Sequence, residues 1–203
     1  MPGPSSTPPP DPALPPDPTL PPRDPGARTS RRLLLRGGPV AKAVAQADLA
    51  TYRAIRSTAR PPAVVQVVSR FSSTGEHAML WLGLGLVATA VDARRRPRWK
   101  RAVSGVALAY LANFGLKNVF RRKRPLLEDL PQLIKTPTAL SFPSAHATSS
   151  FAAARAYSPL LPTRPLYAVA GAMALSRVYL GVHYPTDILA GATFGTIIGS
   201  AAR

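Results

Sequence analysis

Five apolar segments, each rich in small residues, occupy most of the chain after position 77 and restrict the possible folds most strongly. Small residues allow helix backbones to approach closely, as they do in helical bundles within a bilayer. A perpendicular span needs about 20 apolar residues, so these shorter segments require tilt, local thinning or help from their flanks. The sequence therefore predicts an all-α, membrane-embedded bundle of about five to six helices. The segments are residues 78–91, 102–116, 149–161, 165–182 and 188–202.

Two shorter helices are predicted before these segments. From Pro39 to about Thr58, apolar residues recur at helical spacing, which indicates one amphipathic helix. After Pro61 and Pro62, a half-apolar helix is expected to end near Ser72. Neither helix is long or apolar enough to be assigned as a span, so the sequence leaves the number of spans open. The apolar positions of the first helix are Val40, Val44, Ala47, Tyr52 and Ile55.

The N-terminal region differs in composition from the rest of the chain. Residues 1–26 contain twelve prolines and few apolar side chains, too few to offset the entropy of ordering the segment. Residues 28–38 add basic charge. We expect a disordered tail over 1–38 and a single helical domain over 39–203. Because the chain has no cysteine, disulfides and thiolate metal sites are excluded.

The net charge of +17 indicates an anionic partner. The basic residues form no recognisable nucleic-acid module and instead flank apolar segments, as in 94–101 and 121–124, which favours a membrane over nucleic acid. If the six basic residues of 94–101 are cytoplasmic, alternating spans place 117–148 and 183–187 outside. The basic run 121–124 would then lie outside, against the same rule. The expectation is a multi-pass protein of the cell membrane with these polar clusters on its outer face.

The first polar cluster is Lys117 with Arg124-Pro125, at the end of an apolar segment. One interpretation is that both cationic side chains snorkel to the lipid headgroups. The other is a phosphate clamp, in which the guanidinium fork and the ammonium neutralise a dianion. The neighbouring residues Arg121, Arg122 and Lys123 are interpreted as headgroup contacts or as a positive field that attracts anionic lipid.

The second cluster is Pro143-Ser144-Ala145-His146, which has the pattern of a helix start. Ser144 fits the N-cap position, where its side chain would stabilise the helix by about 1 kcal/mol. A helix N-terminus is also a natural anion site. Ser144 Oγ and the Ala145 amide are therefore candidates for holding phosphate oxygens, with His146 facing the leaving group.

The third cluster contains Arg177, His183 and Asp187. A helix starting at His183 or a turn before the last helix would both bring His183 and Asp187 together. A carboxylate bonded to one imidazole nitrogen fixes the tautomer and leaves the other nitrogen free as a nucleophile. The alternative is that Asp187 caps the last helix and His183 lies at the membrane interface.

Taken in order, K-x6-RP, PS-x-H and SR-x5-H-x3-D resemble the tripartite signature of the type 2 phosphatidic acid phosphatase (PAP2) superfamily, here spanning 117–187. The resemblance implies a membrane helical bundle with no metal or cofactor. It implies that a phosphoryl group binds to Lys117, Arg124, Arg177, Ser144 and the Ala145 amide. It further implies that His183 attacks phosphorus, that Asp187 orients His183, and that His146 protonates the leaving oxygen.

Two features depart from or extend this resemblance. The superfamily usually has Gly where this chain has Ala145, which would be costly only if that position required a positive φ. His77 matches no signature residue. The stretch SRFSSTGEH around it is similar to the opening of small actinobacterial members that act on decaprenylphosphoryl-5-phosphoribose.

The resemblance predicts a metal-independent phosphatase that hydrolyses a phosphomonoester or diphosphate of a polyprenyl or glycerolipid. Its partners are a lipid phosphate substrate and the membrane, while the oligomeric state is open. A vanadate-dependent haloperoxidase is the first alternative, because it would hold vanadate with the same residues. A basic membrane or nucleic-acid-binding protein without enzymatic activity is the second.

Overall fold

The computed structural model describes residues 38–58 and 60–203, which fold into an all-helical unit. The predicted disordered tail lies outside the described residues, apart from Gly38. Short 3-10 turns at Glu76–Ala78 and Ala93–Arg95 precede the third and fourth helices. The α-helices of the described part are α1 (Pro39–Arg56), α2 (Pro62–Thr74), α3 (Met79–Val91), α4 (Arg96–Phe120), α5 (Ala145–Tyr157), α6 (Thr163–Tyr179) and α7 (Pro185–Ala201).

Helix α5 lies at the centre of the bundle, since ten of its 13 residues are buried. It packs most extensively against α7, which presents glycines at four-residue spacing. A Cβ at Gly195 would lie 2.1 Å from the Thr148 carbonyl oxygen, so only glycine permits this approach. A Cβ at Gly191 would lie 2.6 Å from the Ser144 carbonyl oxygen, and a Cβ at Gly199 would lie 2.5 Å from the Ala152 carbonyl oxygen. The expected close packing through small residues is confirmed for this helix pair.

Aromatic side chains fill the core between α3, α4 and α5. Trp99 and Tyr157 pack edge to face with ring centroids 5.3 Å apart. The Tyr157 hydroxyl donates to the Trp81 carbonyl at 2.9 Å, and the Trp81 indole donates to Ser150 Oγ at 2.8 Å. Each buried polar tip thus has a partner, which avoids the cost of burying an unpaired donor.

Two expectations from the sequence need adjustment. Seven α-helices are present over 38–58 and 60–203, rather than five to six. The predicted apolar positions form only part of the buried face of α1: Val40 and Val44 are exposed, whereas Tyr52 is buried together with the polar residues Asp48 and Arg56. Within the described part of the chain, no helix is both long and apolar enough to count as a candidate membrane span.

The long connection 121–144 folds back along the bundle end instead of extending into solvent. Arg121 adopts a left-handed conformation (φ 50°) that ends α4. The Arg124 amide then donates to the Ala139 carbonyl at 3.1 Å, and the Ser141 amide donates to the Arg122 carbonyl at 2.7 Å. The connection therefore closes on itself and holds Arg124 beside the ends of α4 and α6 and the starts of α5 and α7.

Candidate active site

One cavity of about 160 Å³ brings the three sequence clusters together. The predicted residues Lys117 and His183 are 66 positions apart and share its wall, because the polar ends of four helices meet there. Two of the predicted residues, Ser144 and Asp187, lie behind the wall rather than in it. The predicted residues that line the cavity are Lys117, Arg124, Ala145, His146, Arg177 and His183.

His183 lies in the turn between α6 and α7, and Asp187 lies in the first turn of α7. The His183 Nδ1 is 3.3 Å from Asp187 Oδ2, and both side chains are buried. A carboxylate can only accept, so the proton is on Nδ1 and the Nε2 lone pair is free. Asp187 also accepts from the Tyr184 amide at 2.9 Å, so it caps α7 and orients His183 at once.

Arg124 approaches the free nitrogen of His183. Its Nη1 lies 3.1 Å from His183 Nε2 and also donates to the Val182 carbonyl at 2.7 Å. Its Nε donates to the Thr138 carbonyl at 2.9 Å. Lys117 Nζ donates to the carbonyls of Leu140 and Ser141 at 3.3 and 3.2 Å. Both cations are therefore held by backbone oxygens rather than by carboxylates, which preserves their charge for an anion.

Burial and neighbouring charges shift the pKa values of His183 and Arg124, which lie in the segments that connect the helices. Burial lowers the pKa of His183 well below its usual value, and the positive charges of Arg124, Lys117 and Arg177 lower it further. Burial also lowers the pKa of Arg124 to about 10, a change that the charge of Asp187 partly opposes. At neutral pH the His183 imidazole is thus neutral, with its single proton on Nδ1, while the Arg124 guanidinium stays charged.

Arg177 and His146 share a partner on α2 that sequence reasoning missed. Arg177 Nη1 donates to the Ser72 hydroxyl at 2.6 Å, and His146 Nε2 lies 3.1 Å from the Ser72 carbonyl. Since a carbonyl only accepts, Nε2 of His146 carries a proton. Ser72 is fully buried, so α2 forms part of the support behind the cavity.

The start of α5 combines a cap with a cavity wall. Ser144 Oγ accepts from the Ala147 amide at 3.5 Å, as expected for an N-cap residue. Ala145 is the first residue of the helix and does not have a positive φ. Alanine therefore fits this position without backbone strain, and the departure from glycine carries no conformational cost.

Arg122 was interpreted as a headgroup contact, and the structure shows that this is wrong. Its guanidinium is about one-quarter exposed and bridges two buried carboxylates. Nη2 donates to Asp48 Oδ2 at 2.6 Å, and Nη1 donates to Asp187 Oδ1 at 2.9 Å. The Arg122 guanidinium also lies 4.2 Å from the centre of the Tyr184 ring. Arg122 thus links α1 to the carboxylate that orients His183.

The buried face of α1 consists of polar residues that contact the turn carrying His183. Asp48 accepts from the Thr186 amide at 2.9 Å and from its hydroxyl at 2.6 Å. Tyr52 donates to the Gly181 carbonyl at 3.2 Å, and Arg56 donates to the Tyr179 carbonyl at 2.9 Å. Spaced four residues apart, these three side chains lie on one helix face. The only sequence signal was that spacing.

The segment after α2 forms another part of the cavity wall. A Cβ at Gly75 would lie 2.6 Å from Met173 Sδ and 2.9 Å from His146 Cδ2, so glycine allows the chain to pass close to the site. Glu76 and His77 follow in the wall, opposite Tyr110 of α4. His77, which matched no signature residue, therefore belongs to the same cavity.

Comparisons with known proteins agree with this geometry. The family model of the PAP2 superfamily matches residues 98–203. Decaprenylphosphoryl-5-phosphoribose phosphatase of Mycobacterium tuberculosis is 38% identical over 143 residues, which cover 68% of this chain and 78% of the relative. The region matched by the family model contains all eight residues predicted for the site.

Two solved structures resemble the fold. LpxE of Aquifex aeolicus has a TM-score of 0.66 and 28% identity, covering 76% of this chain and 93% of that one. A transmembrane PAP2-type phosphatidylglycerolphosphate phosphatase of Bacillus subtilis has a TM-score of 0.67 and 26% identity, covering 79% and 84%. The helical arrangement thus matches that of LpxE and of a transmembrane PAP2-type phosphatase.

Proposed function

The chain belongs to the PAP2 superfamily and is a phosphatase, and from this premise we propose that it removes a phosphoryl group from a membrane lipid phosphate through a phosphohistidine. The observation that carries the proposal is the His183 imidazole. Its Nδ1 is bonded to Asp187, and its Nε2 is directed at Arg124 within a cationic cavity. That arrangement prepares a nucleophile beside a phosphate site.

Lys117, Arg124 and Arg177 would bind the phosphoryl oxygens. Three cations match a transition state whose negative charge is spread over those oxygens. The amide of Ala145, at the start of α5, adds a backbone donor and the positive end of the helix dipole, while Ser144 fixes that helix start. These side chains supply the charge neutralisation without a metal ion.

In the first step, His183 Nε2 attacks phosphorus as the ester P–O bond breaks. The imidazole becomes a phosphorylated cation, and Asp187 stabilises it through the Nδ1 hydrogen bond. The protonated His146 gives a proton to the leaving oxygen, which departs as an alcohol. Because Nε2 of His146 is held by the Ser72 carbonyl, Nδ1 is the atom assigned to this transfer.

In the second step, water attacks phosphorus and gives its proton to the now neutral His146. The P–N bond breaks, inorganic phosphate forms and His183 returns to its neutral form. The reaction consumes one water and yields one alcohol and one phosphate. His146 therefore acts as an acid in the first step and as a base in the second.

A lipid substrate is supported by the outer surface and by the relatives. Large apolar side chains are exposed on α3, α4, α6 and α7, which is unusual for a surface in contact with water only. We therefore place the protein in the cell membrane as a multi-pass protein. A polyprenyl-linked phosphomonoester is the first substrate to test, in view of the M. tuberculosis relative. The exposed residues include Leu86, Val87, Leu108, Leu111, Phe114, Leu175, Leu189 and Ile197.

The test is phosphate release by purified protein in detergent, with and without EDTA. The panel contains decaprenylphosphoryl-5-phosphoribose, undecaprenyl diphosphate, phosphatidic acid and phosphatidylglycerol phosphate. We expect hydrolysis of at least one lipid in EDTA, with an acid-labile phosphoenzyme in rapid-quench experiments. His183→Ala should lower the rate by at least about 10³-fold and abolish the phosphoenzyme. Glu128→Gln, which changes an exposed residue outside the cavity, should still form it.

Two outcomes would contradict the proposal. If activity is lost in EDTA and restored by a metal ion, the metal-independent mechanism is contradicted. Bromination activity with vanadate would favour the haloperoxidase alternative, whereas vanadate is expected here only to inhibit hydrolysis.

A further inference from the structure

The wall of the active-site cavity contains hydrogen-bonding groups that phosphate binding does not use. Glu76 is the one carboxylate among the residues that line it, and Tyr110 and Asn113 lie in the same wall. A carboxylate repels a phosphate dianion and needs a donor as its partner. The phosphoryl group has no such donor when fully ionised. A substrate group that donates hydrogen bonds would suit this half-buried carboxylate, which lies in the same wall as Arg177.

The backbone around Glu76 is held in an uncommon conformation. His77 (φ 52°) and Ala78 (φ 60°) are consecutive non-glycine residues in the left-handed region. Such conformations persist only where the surroundings enforce them, and they concentrate at ligand sites. Ala78 is buried, and His77 Nδ1 lies 2.8 Å from the Tyr110 hydroxyl. These contacts keep Glu76 and His77 against the cavity.

Asn113 contributes a further acceptor behind the wall. Its Nδ2 donates to Thr148 Oγ1 at 2.9 Å and to the Pro143 carbonyl at 3.3 Å. Both nitrogen bonds fix the orientation of the amide, so Oδ1 is an acceptor. The side chain is fully buried, and in the described structure Oδ1 has no donor. A donor brought by a ligand would satisfy it.

We propose that Glu76, His77, Tyr110 and Asn113 form a subsite for a hydroxyl-bearing group, such as a pentose, attached to the phosphate that is removed. The proposal rests on the proposed phosphatase function and narrows its substrate. Vicinal hydroxyls offer the donors that the carboxylate and the amide oxygen require. The second phosphate of a lipid diphosphate would instead meet the negative charge of Glu76. The subsite therefore favours a sugar phosphomonoester over a diphosphate.

The discriminating substrates are decaprenylphosphoryl-5-phosphoribose and its 2,3-dideoxy analogue. They share both phosphates and the lipid and differ only in the two ring hydroxyls. We expect the wild-type protein to hydrolyse the ribose substrate with a kcat/KM about 10- to 100-fold higher, because a site built around hydroxyls penalises their absence.

Two conservative variants test the residues. Glu76→Gln keeps the shape of the side chain but removes its charge, and Tyr110→Phe removes only the hydroxyl. We expect Glu76→Gln to reduce the ratio of kcat/KM for ribose over dideoxyribose by about 10-fold, and Tyr110→Phe to reduce it about threefold. Glu128→Gln makes the same charge change on an exposed residue outside the cavity and should leave the ratio unchanged.

The outcomes separate this inference from the function on which it rests. Equal rates for the two sugar substrates, or a ratio that Glu76→Gln does not alter, would overturn the hydroxyl subsite even if phosphatidic acid is hydrolysed. If the wild-type protein hydrolyses no lipid phosphate in the panel, the phosphatase proposal itself fails. A preference for undecaprenyl diphosphate over the ribose substrate would also count against the subsite.

Discussion

The N-terminal helices α1 and α2 and the C-terminal region 98–203 contribute to the site in different ways. The C-terminal region matches the family model and carries each residue assigned to phosphate binding or chemistry. The N-terminal helices carry none of these. They supply buried polar side chains behind the cavity, namely Asp48, Tyr52 and Arg56 on α1 and Ser72 on α2.

The contrast separates reactive groups from the groups that orient them. Asp187 contacts His183, the proposed nucleophile, directly, while Asp48 is linked to it through Arg122 and Thr186. The proposed reaction needs the His183 imidazole in one tautomer and one orientation. It should therefore be sensitive both to the residue that contacts His183 and to the residues that hold that contact in place. We therefore expect substitutions in the C-terminal region to lower activity strongly and substitutions in the N-terminal helices to lower it less.

The largest effect among these support residues is expected for Asp187→Asn. The amide cannot accept the Nδ1 proton with the strength of a carboxylate and favours the wrong tautomer of His183. A loss of about 10³-fold in kcat is expected, by analogy with the equivalent change in catalytic triads. Single-turnover kinetics should show that formation of the phosphoenzyme is the slowed step. Unchanged kcat would mean that Asp187 serves only as the cap of α7.

A smaller effect is expected for Asp48→Asn, which weakens the contact of α1 with Arg122 and Thr186. We expect kcat to fall about 10-fold, corresponding to about 1.4 kcal/mol, with little change in KM. The matched control is Asp129→Asn, which breaks an exposed ion pair with Arg53 and should change kcat less than about twofold. If Asp48→Asn lowers the melting temperature but leaves kcat intact, α1 supports the fold alone.

The pH dependence tests the buried environment of His183. Its pKa is lowered in the folded protein, so its neutral form persists as the pH falls below the usual value of about 6.5. The nucleophile should therefore stay active between about pH 6.5 and 5.5. The kcat/KM should be measured for two soluble phosphomonoesters whose own pKa values differ. An acid limb at pH 6.5 that is common to both substrates would contradict the prediction.

The smallest effect is expected for Ala145→Gly, which restores the residue usual in the superfamily. Ala145 already has a helical conformation and supplies the same backbone amide. Activity should change by less than about threefold, as measured by kcat/KM on the preferred lipid. An increase of orders of magnitude would show that the methyl group obstructs the phosphate.

The gathering of the predicted residues at one cavity could be foreseen from the sequence, because these residues are grouped in short motifs at helix ends. The apolar segments also located α3 to α7 to within a few residues, apart from α4, which extends well into its flanks. The residues that hold His183 and Asp187 in place could not be found in this way. Asp48 and Thr186 are separated by 138 positions, and no spacing rule joins them. The pattern of α1 was partly misleading, because Val40 and Val44 are exposed, while the polar residues Asp48 and Arg56 join Tyr52 on the buried face.

The Nε2 lone pair of His183 faces Arg124 Nη1 at 3.1 Å, inside a buried environment. A histidine in this state is a poor target for acylating reagents, which attack an accessible, unprotonated ring nitrogen. Diethyl pyrocarbonate should therefore modify the exposed His77 before His183. Arg124, the cation proposed to bind the phosphate, would thus also shield His183 from such reagents.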